Sequence, residues 1–156
     1  MNTAIMALIL VIAAEVGISP EFALAIALEE NWTLNPNAVY QNQDGTFDGG
    51  VMQLNSSWFK GDWQNPEENI RAGCLYIKGL VENPLTTTYW SVAVCYNAGT
   101  RWLTRKEKPP DRSIEYAERV MARFEKLEKE RVEKMLQVYF EARDELFGAE
   151  AQGERK

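Results

Sequence analysis

The chain has 156 residues, a net charge of −6 and an ordinary apolar fraction, so it suits a single domain with a substantial core and not a disordered segment. It contains no histidine, which removes the commonest general base and the commonest transition-metal ligand together. All of the net charge lies in front of Lys60, where Glu15, Glu21, Glu29, Glu30, Asp44 and Asp48 face no basic residue; this acidic front argues against nucleic acid or an anionic membrane surface as partner.

No apolar run reaches the roughly 18 to 20 residues of a membrane helix. Met1–Ala14 is apolar enough for a signal segment but has no basic n-region and no clear small-residue cleavage site. It is read as the start of the first helix, Thr3–Val16, stopped by Gly17, and an export signal is expected to be missing from this chain. In "GISPEF", Ser19 caps a second helix, Pro20 takes its first position and Glu21 its first turn. That helix ends near Asn31, because Asn35-Pro36 forces an extended or turn conformation. "YQNQDGTFDGG" is dense in turn formers and places a tight hairpin at Asp44-Gly45, the one stretch where a small amount of β-structure is expected.

"VMQLNSSWF" reads as a short helix or helical turn. Asn65 and Pro66 open a helix whose apolar positions Ile70, Gly73, Cys74, Ile77, Leu80 and Val81 keep helical spacing. "TTTYWSVAVCYNAGT" gives another buried helix ending at Gly99, and "WLTRKEKPPDRS" a polar loop. Cys74 and Cys95 both sit in apolar surroundings, as a buried thiol pair or as one disulfide between packed helices; two cysteines are too few for a disulfide framework or a transition-metal site. From Ser113 to Phe147 one helical pattern continues, with a span of roughly 50 Å if unbroken. Its middle, "EKLEKERVEK", has few apolar positions, so the helix is expected to break there or to project from the body. "GAEAQGERK" reads as a frayed tail. The expected division is residues 1–124 as the main domain and 125–156 as a helical extension available for self-association.

Two adjacent carboxylates, Glu29 and Glu30, close the apolar helix that begins near Pro20. Acidic residues oppose the partial negative charge at a helix C-terminus. Either they face solvent, or one is held where a raised pKa is useful.

Glu30 at a helix end, "GVMQLN" over Gly50–Asn55, "NIRAG" over Asn69–Gly73 and "CYNAG" over Cys95–Gly99, in this order and spacing, closely resemble the soluble lytic transglycosylase family, relatives of goose-type lysozyme. The resemblance runs from about Ile9 to Val120. It implies a mainly helical, lysozyme-like fold with a small β-hairpin region, to which this chain adds its long C-terminal helix. "AIALEEN" puts Glu30 at the family's catalytic position and Asn31 where Ser is usual. The turn "NWTLNP" is two residues longer than in most relatives, which leaves a second register with Glu29 at the site. Cys74 and Cys95 stand where relatives often have Ala, in two helices that pack together.

The resemblance further implies non-hydrolytic cleavage of the β-1,4 bond between N-acetylmuramic acid and N-acetylglucosamine in peptidoglycan, leaving 1,6-anhydromuramyl ends. Glu30 would act first as acid and then as base. Such a Glu needs a pKa raised toward neutrality by an apolar cleft, and Met52, Trp32 and Tyr96 are expected as its walls. Gly50, Met52, Gln53, Tyr96, Asn97 and Tyr116 carry over as substrate-binding residues, Gly50 by letting backbone pass close to the sugar and Tyr116 by lying near Glu30. No cofactor and no metal are implied. Asn42, Asp44 and Asp48 resemble a calcium loop only in part, and turn chemistry accounts for them. The implied partners are glycan strands of peptidoglycan, with self-association or envelope-protein docking through the C-terminal helix, and the implied location is the periplasm, cell envelope or exterior. A hydrolytic lysozyme using a loop Asp, and a glycan-binding scaffold without turnover, are the alternatives.

Overall fold

The computed structural model describes residues 2–105 and 107–148. Among the described residues, six helices and one small sheet follow in the order α1 (Thr3–Val16), α2 (Pro20–Glu30), β1 (Val39–Gln41), β2 (Phe47–Gly49), β3 (Leu54–Asn55), α3 (Pro66–Val81), α4 (Tyr89–Ala98), α5 (Arg101–Arg105) and α6 (Asp111–Gly148). They divide into two compact units, Met1–Phe124 and Glu125–Lys156.

The first unit is organised around α2. Every residue from Phe22 to Leu28 is buried, as expected of a helix apolar on all faces. The Ser19 hydroxyl accepts from the Phe22 N–H at 3.2 Å and Pro20 occupies the first turn, so the helix begins where the sequence places it. Helix α1 packs on α2 and α3, and α3 on α4. The α1 end is closed by Gly17 in the left-handed region (φ 83°) and by Lys78, whose ammonium donates to the Val16 carbonyl at 3.1 Å. Phe22, Tyr89 and Phe124 meet ring to ring at 4.5 to 5.4 Å and tie α2, α4 and α6 together. Along α6 the buried positions Ser113, Tyr116, Ala117, Val120 and Phe124 keep helical spacing.

The sheet is antiparallel in the order β1-β2-β3, with Tyr40 opposite Asp48 and Asp48 opposite Asn55. Its hairpin turns through Asp44-Gly45: Gly45 has φ 86°, and the Asp44 carboxylate accepts from the Thr46 N–H and hydroxyl at 3.0 and 2.7 Å. The third strand lies where a short helix was expected. Gly50 (φ 79°) and Gln53 (φ 47°) both stand in the left-handed region, which a right-handed helix cannot contain, and Leu54–Asn55 pairs with β2 instead. Arg101–Arg105, expected as loop, forms the short helix α5 with Trp102 and Leu103 half-buried. Helix α6 begins two residues before Ser113 and is continuous to Gly148, so of the two expectations, a break or a projection, the break does not occur. The tail expected from Gly148 lies, beyond that residue, outside the described residues.

In the second unit no described side chain is buried. Pairs such as Lys126–Glu130 and Lys129–Glu133 run along its surface, and Val132, Met135, Leu136, Val138, Tyr139 and Phe140 are exposed.

One side chain fixes the loop behind the sheet. Asn69 on α3 is fully buried; its carbonyl oxygen accepts from the Met52 N–H at 2.8 Å, and its amide donates to the Gly49 carbonyl at 3.0 Å. A Cβ on Gly50 would come within 2.5 Å of the Asn69 amide and the Trp63 carbonyl, and one on Gly73 within 2.7 Å of Met52. The two glycine-bearing segments "GVMQLN" and "NIRAG" thus interlock. Asn69→Ala is expected to destabilise the fold by about 2–5 kcal/mol, since it strands two buried backbone groups. Urea unfolding measures this, and a loss below about 1 kcal/mol would contradict the interlock.

Candidate active site

Helix α2 ends by leaving the core. The Asn31 N–H closes the last turn on Ala27 at 2.9 Å, and its backbone has already left the helical region (φ −150°, ψ 82°). The buried Asn31 side chain then organises the turn. Its amide donates to the carbonyls of Asn35 (2.8 Å) and Gly50 (3.2 Å), while its oxygen accepts from the Thr33 hydroxyl (2.9 Å) and the Asn35 N–H (3.3 Å). A serine at this position could not span both partners with one hydroxyl. The turn after α2 and the Asn31 side chain that ties it to Gly50 are therefore one structural unit.

The two carboxylates part company here. Glu29 turns toward α6, with Oε1 at 2.6 Å from Arg119 Nε and Oε2 at 3.1 Å from Arg123 Nε. Glu30 turns into a cleft of about 640 Å³. Its Oε1 accepts from the Tyr116 hydroxyl at 2.7 Å. Its pKa is raised to about 7, above all by burial; the charges of Asp48 and Glu29 push the same way, and the Tyr116 hydrogen bond opposes them.

Gln53, Tyr96 and Asn97 line the same cleft. The Gln53 amide donates to the Gly50 and Ala38 carbonyls at 2.8 and 3.3 Å. Asn97 Oδ1 accepts from the Ser113 hydroxyl at 2.7 Å, which leaves its exposed amide N–H groups to donate. The Tyr96 hydroxyl donates to the Met52 carbonyl at 2.9 Å, and burial pushes both the Tyr96 and Tyr116 phenols well above their ordinary range. Both stay protonated donors beside Glu30.

Three expectations need correction. Met52 is fully buried and packs against Gly73, so it backs the wall without lining the cleft. Gly50 also lies behind the lining; it lacks a Cβ because Asn69 and Trp63 press on it, and no open approach to the cleft is involved. Trp32 is 72% exposed and is not a cleft wall. Of the partial calcium loop, Asp44 holds its own turn, while Asp48 accepts amide hydrogens from Asn42 (3.1 Å) and Asn55 (2.7 Å). Among the described residues, no three His, Cys, Asp or Glu side chains are grouped to hold a metal.

The cleft also contains residues the sequence did not assign to it, Asn42 among them, which was read only as turn chemistry. Tyr40 and Asn42 come from the hairpin, Trp58 and Tyr76 from an aromatic row that continues to Tyr96 with 5.4 Å spacing at each step, and Arg112 from the start of α6. The available signal was the place of Tyr76 off the apolar stripe of α3. Nothing in the sequence distinguishes Trp58 from the other tryptophans. Cys74 and Cys95 are buried free thiols; burial pushes Cys74 up to about 12.

Residues 7–118 match the family model described as the transglycosylase SLT domain. No match is found among the curated proteins.

The raised pKa of Glu30 has a consequence for stability. Between its ordinary value of 4.5 and about 7, the folded chain holds a proton that the unfolded chain has released, so stability falls as pH rises through this window and then levels off. Glu30→Gln removes the penalty. Its stability relative to wild type is expected to improve by about 2–3 kcal/mol between pH 4 and pH 8. Denaturant titrations at both pH values measure this, and a pH-independent difference would contradict the burial of the charge.

Proposed function

Since the chain belongs to the transglycosylase SLT domain family, we propose that it is a peptidoglycan lytic transglycosylase. The observation that carries this reading is one carboxyl, Glu30, able to keep its proton near neutrality in a cleft otherwise lined largely by amides, hydroxyls and aromatic rings. Such a lining suits a polar, neutral polymer with flat sugar faces.

In the proposed reaction a glycan strand lies in the cleft with an N-acetylmuramyl unit beside Glu30. The protonated carboxyl gives its proton to the glycosidic oxygen as the C1–O bond breaks, releasing the N-acetylglucosamine side as an alcohol. The substrate's own N-acetyl group stabilises the positive charge at C1. Glu30, now a carboxylate, takes the proton of the muramyl C6 hydroxyl as that oxygen bonds to C1. The product is a 1,6-anhydromuramyl end, and Glu30 is again protonated. Tyr116 orients the carboxyl, while Gln53, Tyr96 and Asn97 position the sugar. Gly50 and Met52 act from behind, by shaping the loop that carries Gln53. The aromatic row Trp58–Tyr76–Tyr96 supplies stacking surface for sugar rings.

A hydrolytic route would need a second carboxylate to activate water. Asp48 reaches the cleft, but each of its oxygens accepts an amide hydrogen bond from Asn42 or Asn55, which supports the single-carboxylate reading. The proposed place of action is the cell envelope, periplasm or exterior, where peptidoglycan lies; among the described residues no helix is long and apolar enough to cross a membrane. The division at Phe124–Glu125 supports a catalytic domain over 1–124 followed by an extension. The exposed apolar residues from Val132 to Phe140 support self-association or envelope-protein docking as the use of that extension.

Digestion of purified peptidoglycan followed by mass spectrometry of the sugar ends tests the reading. Anhydromuramyl ends are expected, reduced about 10²- to 10⁴-fold in Glu30→Gln. Reducing ends would make the protein a lysozyme, and no products from folded wild type would make it a glycan-binding scaffold.

The pH profile gives a separate test. Because Glu30 must enter the reaction protonated, kcat/KM is expected to fall above about pH 7. Tyr116→Phe removes the hydrogen bond that favours the ionised carboxyl, so the descending limb should move to higher pH while the rate drops. A limb moving to lower pH would contradict the assigned role of Tyr116.

A further inference from the structure

Glu29 has no place in the proposed chemistry, yet its side chain is only 10% exposed and both of its oxygens are engaged by α6. Adjacent residues on α2 thus grip the same helix: Glu30 holds Tyr116, and Glu29 holds Arg119 and Arg123. Positions 116, 119 and 123 lie three and four apart, so they form one stripe of α6 facing the end of α2. We infer that the Glu29–Arg119–Arg123 cluster is a positioning device for the Glu30 carboxyl, fixing the register of Tyr116 against it and setting the charge that it senses across one peptide bond. The inference rests on the proposed role of Glu30 for its catalytic meaning, while the pairing itself is independent of that role.

The charges decide the direction of the effect. Around Glu30 stand Glu29 on its own helix, Asp48 on β2, Tyr96 on α4 and Tyr116 on α6; Glu115 on α6 lies near Arg119. Of these, Glu29 and Asp48 are the negative charges that act on Glu30. An unpaired Glu29 would hold Glu30 protonated to higher pH. With two arginines on it, the cluster carries a net positive charge and limits that push. The guanidinium groups themselves reach solvent, with side chains 54% and 43% exposed, so added salt should weaken their influence on Glu30. A bare carboxylate at the same place would also oppose the helix terminus. The cluster therefore lets α2 end in two acids with separate partners.

The test titrates the Glu30 carboxyl directly, by carbon-detected NMR of the full chain, with Glu30→Gln identifying its resonance. Glu29→Gln should lower the Glu30 midpoint by about one pH unit, since a negative neighbour is lost and two arginines are freed. Arg119→Gln with Arg123→Gln should raise it by a similar amount, and Arg123→Gln alone, the milder change, by less. Arg119→Lys with Arg123→Lys should keep the wild-type midpoint. The shift of the arginine variants should shrink in about 0.5 M salt, where the Debye length is about 4–5 Å, while that of Glu29→Gln, where the side chain is 10% exposed, should shrink less. Shifts in the same direction for Glu29→Gln and the double Gln variant, or no shift in either, would reduce the cluster to a purely structural tie and overturn the inference. Turnover measured in parallel separates the two readings: wild type without turnover on peptidoglycan would remove the catalytic meaning of Glu30, while opposite carboxyl shifts would still establish the pairing.

Discussion

Burying α2 on every side determines what its last two residues can do. From Phe22 to Leu28 the helix has no face left for a charge, so the first polar side chains after Leu28 must go to the two exits available. Glu29 takes the exit toward α6 and gains two guanidinium partners. Glu30 takes the exit toward the cleft and gains a phenol hydroxyl, with burial as the dominant influence on its proton. The same residue type thus acquires opposite electrostatic surroundings within one step of the chain. The difference arises from the 100° turn between neighbours on a helix and needs no difference in chemistry.

Around this pair the structure is held by amides more than by charges. Asn31 joins the turn after α2 to the Gly50 loop, Asn69 joins that loop to α3, Gln53 folds back on it, and Asn42 and Asn55 hold Asp48. An amide both donates and accepts, and it does not titrate. A cleft wall built this way keeps its shape while Glu30 changes protonation. Two pairs of opposed strand residues, a four-residue turn and a few such side chains are enough to position the loop, because the loop is short and Gly50 in it sits where Asn69 and Trp63 press closely.

The helices were legible because their signals are local. Ser19-Pro20, Asn65-Pro66 and Gly17 mark ends within a few residues, and the apolar spacing of α3 and α6 supplies their buried faces. Strand β3 was not legible, since its two residues are defined by pairing with β2 and by positive φ at Gln53, a residue that rarely adopts it. The same limit applies to the site. Short motifs pointed to Glu30, Gln53, Tyr96 and Asn97, which do gather in one cleft. They also pointed to Gly50 and Met52, whose spacing reflects the interlock with Asn69 and Gly73 more than contact with the cleft. Trp58 and Arg112 come to the cleft only through tertiary structure, and no local pattern announces them. The partners of Glu29 lie 90 and 94 residues away.

The two cysteines have a consequence for where the fold can be completed. Both are buried, unpaired thiols, and the thiolate of Cys74 is suppressed by a pKa near 12. Oxidation and disulfide exchange proceed through the thiolate and need access to it. The core therefore closes without waiting for an oxidant, and once closed it offers little for one to attack. A chain of this kind can reach its final shape in a reducing compartment or an oxidising one with the same set of contacts.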